Sequence, residues 1–154
     1  MDFEQLTVKL HEFYLLEVFQ VQLYQAQVNS FPDEYNARAF AKMAEIEQGH
    51  VDYYAERMRE YSIGIPEVAD DVFSFAGFVT AKTLDLLSLK ERYQLGVTLE
   101  SKAITMYHDF IKMADGDQPL QKMLWYYLID EEFHKFWCKA NLKKIDLKEQ
   151  LINV

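Results

Sequence analysis

Two short stretches, EQGH at residues 47–50 and EEFH at residues 131–134, each set a glutamate three positions before a histidine. The chain has four histidines, so half of them stand in this setting, 84 positions apart. Residues i and i+3 of a helix project from one face, so Glu47 with His50, and Glu131 with His134, can each converge on one centre. A carboxylate oxygen and a neutral imidazole nitrogen are both ligands for a divalent cation.

Further ligands recur with the same period. LEVFQVQLY at residues 16–24 is matched by LESKAITMY at residues 99–107, and each places a glutamate seven residues before a tyrosine. The pairs are Glu17 with Tyr24 and Glu100 with Tyr107. From Glu17 to Glu47 is 30 residues and from Glu100 to Glu131 is 31, so the whole set repeats after 83 to 84 positions. Helical side chains lean towards the helix N-terminus, which aims the Tyr24 and Tyr107 hydroxyls back at their own glutamates.

Four helices must position these residues. Asp2 and Gln5 form a capping pair for the first helix, about 3–29, whose apolar residues recur at helical spacing. Pro32, Asp33 and Glu34 make a first turn for the second, about 32–61, which Gly64 and Pro66 stop. Ser88 and Glu91 read as a capping box opening the third, about 89–114. Asp117 and Pro119 start the fourth, about 119–144, where Lys143 and Lys144 suit a helix C-terminus and a short tail follows. Short links pair the helices into two antiparallel hairpins. The crossover at 63–87 can span a helix of 25 residues, about 37 Å long. The expected fold is all-α, one domain over residues 1–154: a four-helix bundle of two hairpins with one long crossover.

In that bundle the marked residues fall near the middle, and four carboxylates and two imidazoles face one point. Ionised and empty, such a site is costly, because a buried charge needs a partner. Two divalent cations neutralise four carboxylates. Oxygen-rich ligands with one histidine per ion suit iron or manganese, or a mixed pair, better than a structural zinc site.

Composition narrows the setting. Gly and Pro together number only eight in 154 residues, which favours long helices, and half the chain is hydrophobic. A net charge of −9 argues against nucleic acid or an anionic membrane as partner. One cysteine, Cys138, excludes an internal disulfide framework and is expected to be a buried, inert thiol. No apolar run reaches the roughly eighteen residues of a bilayer span. The N-terminus MDFEQLTVKL lacks signal-peptide features, so a cytoplasmic location is expected.

At the repeated Glu-x6-Tyr and Glu-x-x-His pairs the chain resembles the ferritin-like superfamily, and within it the stand-alone rubrerythrin-type diiron proteins. HVDYYAERM and DEEFHKFW are also similar to bacterioferritin sequences. The resemblance covers about residues 8–142. It implies that Glu17, Glu47, His50, Glu100, Glu131 and His134 are iron ligands, with Glu47 and Glu131 bridging. Three departures matter. A single cysteine cannot build the paired Cys-x-x-Cys domain of full-length rubrerythrins, so an external electron donor is implied. One turn either side of Glu100 stand Val97 and Ala103, where the rubrerythrin peroxidase site carries a further glutamate. Gln48 stands where bacterioferritin has its haem-binding methionine, so no haem is expected.

The expected function is a non-haem diiron oxidoreductase reducing peroxide or dioxygen, in oxidative-stress defence or iron handling. An iron-storage or ferroxidase protein of bacterioferritin type is the alternative, as is a substrate oxygenase with the aromatic crossover DVFSFAGFV as its pocket wall. A homo-oligomer, a dimer first, is the expected assembly. Tyr24 and Tyr107 are expected to support the site by hydrogen bonding to its carboxylates. Glu45, Glu132, His11 and His108 are expected to lie outside it.

Overall fold

The structure is a computed structural model and describes residues 1–30, 33–67 and 86–152. Four helices run in chain order: α1 (Phe3–Ser30), α2 (Glu34–Glu60), α3 (Leu89–Met113) and α4 (Gln118–Ile152). Among the described residues there is no strand.

The caps follow the local chemistry. Asp2 Oδ1 accepts from the Gln5 backbone N–H at 2.8 Å, and the Gln5 side chain accepts from the Asp2 N–H at 3.2 Å. Both halves of the Ser88–Glu91 capping box are formed, and the bonds from Ser88 hold the Glu91 carboxyl below its ordinary pKa. Asp117 Oδ1 accepts from the Leu120 N–H at 3.1 Å, with Pro119 tolerated in the first turn of α4.

Two boundaries differ from expectation. Helix α2 starts at Glu34, because Asp33 acts as its N-cap and accepts from the Asn36 backbone and side chain at 2.9 and 2.7 Å. These bonds, the side-chain one first, lower the Asp33 pKa. Helix α4 does not end near Lys144 but continues to Ile152 through what read as a tail. Nothing between Leu120 and Ile152 is Gly or Pro, and Lys90 of α3 meets Asp146 and Glu149 at 2.6 and 2.8 Å. At the far end of α2, Ser62 turns the chain off the helix at φ 56°, and the Ile63 N–H closes on the Met58 carbonyl at 2.8 Å. The crossover expected at 63–87 lies outside the described residues from 68 to 85.

The chain divides into two compact units, Met1–Leu86 and Leu87–Val154. In the first, α1 packs against α2, and the contacts run antiparallel. Phe13 meets Tyr54 at a ring-centroid distance of 5.7 Å, and further along α1 Tyr24 meets Phe40, also at 5.7 Å. In the second unit α3 packs against α4 in the same sense. Tyr93 lies edge-on to Trp137 at 5.5 Å, and Tyr107 to Tyr127 at 6.4 Å. Burying aromatic and aliphatic side chains of this size stabilises each hairpin by about 1.5–3 kcal/mol per residue.

In the second hairpin a Cβ on Gly96 would stand 2.7 Å from Cys138 Sγ. Cys138 is fully buried, as expected, and burial pushes its thiol up to about 12. Gly96→Ala gains up to about 1 kcal/mol of helix propensity. Against that, overpacking beside a short, enclosed side chain costs about 1–3 kcal/mol. The melting temperature should therefore fall by about 2–6 °C, and Cys138→Ala in the same chain should recover most of the loss. Thermal unfolding of the two variants checks this.

Candidate metal centre

Each hairpin carries a buried polar set inside an apolar stripe. On α1, Glu17 and Gln20 stand between Phe13 and Tyr24. On α2, Glu47 and His50 occupy the run of buried positions Phe40, Met43, Tyr54 and Met58. The periodicity that makes the hairpin core thus also delivers the acids into it. Glu17 and Glu47 are 0% exposed and His50 2%. His50 Nδ1 lies 3.0 Å from Glu47 Oε2 and 3.4 Å from Glu17 Oε2. One ligand atom from each of Glu17, Glu47 and His50 falls within 4.8 Å of the others.

The second hairpin repeats the arrangement. Glu100 lies on the α3 stripe with Tyr93, Ala103 and Tyr107, and Glu131 and His134 lie on the α4 stripe with Leu124, Tyr127 and Cys138. Glu100 and Glu131 are 0% exposed and His134 3%. His134 Nδ1 is 3.9 Å from Glu100 Oε1, and ligand atoms of Glu100, Glu131 and His134 again fall within 4.8 Å of one another.

Both sets fit a divalent cation. Ligand atoms about 2.1 Å from an ion are about 3.0 Å apart at a right angle and about 4.2 Å apart when opposite. The observed separations of 3.0, 3.4 and 3.9 Å fall within that range. The donor chemistry agrees. Each set offers two carboxylates and one imidazole, and one divalent cation balances the charge of its carboxylates. A protonated imidazole could offset only one of the two charges.

The expected site residues are therefore gathered three by three, Glu17, Glu47 and His50 in one hairpin and Glu100, Glu131 and His134 in the other. Tyr24 and Tyr107 are buried in the stripes of their own hairpins, Tyr24 tilted against Phe40 and Tyr107 edge-on to Tyr127. The side chains expected to lie elsewhere do so. Glu45 and Glu132 are exposed. His11 Nε2 is 2.8 Å from the Gly64 carbonyl, and the exposed His108 stands edge-on to Trp125.

One participant was not anticipated. Gln20, 1% exposed, donates from Nε2 to Glu47 Oε1 at 3.3 Å and so fixes the orientation of that carboxylate. The available signal was its position: one turn after Glu17, a polar residue on the buried face.

Residues 18–148 match the family described as Ferritin-like domain, in keeping with the all-α four-helix class. No curated protein matches the chain. Among the described residues, no helix is long and apolar enough to cross a membrane.

Proposed function

The chain belongs to the ferritin-like family, and from that premise we propose that it is a non-haem diiron oxidoreductase that reduces peroxide or dioxygen. The observation that carries this reading is the duplicated set of two glutamates and one histidine, buried and drawn to within ligand distance in each hairpin. In this reading the two sets are the halves of one dimetal cage. Glu17, Glu47 and His50 would hold one ion and Glu100, Glu131 and His134 the other, with Glu47 and Glu131 bridging.

With these residues holding two redox-active ions, the site would have the chemistry to supply electrons in pairs to an oxidant. The protein's own residues do the rest. The carboxylates and imidazoles fix the ions, and Gln20 keeps Glu47 from rotating. Tyr24 and Tyr107 fill the buried stripes beside the ligands. The apolar stripes keep bulk water away, which strengthens every electrostatic interaction inside. A separate electron donor and a cytoplasmic setting belong to the same reading.

The test is to load the purified protein with Fe(II) and follow consumption of peroxide and of dioxygen. Turnover sustained by an added reductant supports the proposal. Consumption of neither oxidant ends it. A ferroxidase or iron-storage role is the second reading, favoured by the family match itself. It predicts uptake of iron well beyond the ligand capacity and a large hollow assembly by light scattering.

A further inference from the structure

Helix α4 carries a second apolar stripe on the side opposite its metal-binding residues. Trp125, Tyr126, Ile129, Phe133 and Phe136 are all exposed, the two phenylalanines by 66% and 69%. Tyr126, Ile129, Phe133 and Phe136 follow each other at intervals of three, four and three residues, the spacing of a coiled-coil seam. Helical geometry turns this seam about half a revolution away from Glu131, Cys138 and the rest of the buried stripe.

The five side chains expose roughly 500 Å², taking about 150–250 Å² for a whole aromatic side chain. That is at the upper end of the largest patch on a typical monomer, about 300–600 Å². Two such patches together bury about 1,000 Å², the lower bound of a specific interface.

The charges beside the seam say what covers it. Glu132 and Lys139 lie on one flank, and Asp130 and Lys144 on the other. If two copies cross antiparallel, with their two-fold axis between Phe133 and Phe136, Glu132 of each copy comes beside Lys139 of the other. The two-fold makes that attraction twice. A parallel pairing sets Lys139 beside Lys144 instead, a like-charge contact that costs stability. A seam whose charges complement their own rotated image fits a second copy of this chain. From this we infer that the chain forms an antiparallel homodimer through the outer face of α4. The inference is independent of what the metal centre does.

Sedimentation of the full-length, metal-loaded protein tests it. The wild type should be a dimer at about 10 μM. Phe133→Ser with Phe136→Ser should weaken the dimer at least about 30-fold, because four aromatic anchors leave the interface. Helical content and bound metal should stay at wild-type values, which separates a lost interface from a lost fold or a lost metal centre. Glu132→Lys alone should weaken the dimer about tenfold, and adding Lys139→Glu should restore it. A wild type that is monomeric at about 100 μM overturns the inference. So does an assembly that ignores the serine substitutions, or a charge exchange that does not restore association.

Discussion

Replacing His50 and His134 together by alanine should strip bound transition metal from the protein while the helices remain. Each histidine is the one imidazole in its set, held at 3.0 to 3.9 Å from the carboxylates it would share an ion with. Loss of a group that merely orients a ligand already costs about 10–100-fold in metal affinity. Loss of a ligand from each set should cost more than about 100-fold. Both side chains are buried, so the variant should also lose a few kcal/mol of stability through the cavities left behind. Elemental analysis beside far-UV circular dichroism separates the two effects. Metal retained at the wild-type level would show that these imidazoles are packing residues.

The second large effect concerns the cost of the site when it holds no ion. Each hairpin buries two carboxylates, their oxygens within 4.8 Å of each other. Glu47→Gln with Glu131→Gln keeps the shape, removes one charge from each set and leaves Gln20 its acceptor. The metal-free variant should melt above the metal-free wild type. Relief of buried charge is worth about 1–4 kcal/mol, and for a chain of this size that is about 3–12 °C. Metal should then reverse the order. The wild type gains about 4 kcal/mol at a thousandfold excess of ion over its dissociation constant, and the variant gains little. Calorimetry with and without added ion reads both results. If the glutamine variant melts lower in the metal-free state, the carboxylates stabilise the fold by themselves.

These outcomes depend on features of different legibility. The ligand sets could be read from the chain because a site on two helices leaves fixed spacings, and here the spacings occur twice. Gln20 could not be read the same way. Its role depends on the register of α1 against α2, which brings its amide to Glu47, and no motif records a register. Gly96 is similar: its meaning lies in the closeness of Cys138, and only the packed hairpin shows that contact. Lys143 and Lys144 suit a helix terminus, yet α4 does not end there. Charges at a helix end contribute only about 0.3–1 kcal/mol. With no breaker present, each further residue adds its own backbone hydrogen bond, and the helix runs on to Ile152. The caps at Asp2, Ser88 and Asp117 were legible because they act within three residues of themselves.

In the proposed function the two ligand sets form one cage. The most direct measurement is a titration of the metal-free protein with Mn(II), followed by electron paramagnetic resonance. Two ions should bind per chain, giving the spectrum of a spin-coupled pair. That coupling should vanish when Glu47 or Glu131 is replaced. Binding of two magnetically independent ions would contradict the cage and leave two separate sites, and no binding would remove the metal centre altogether.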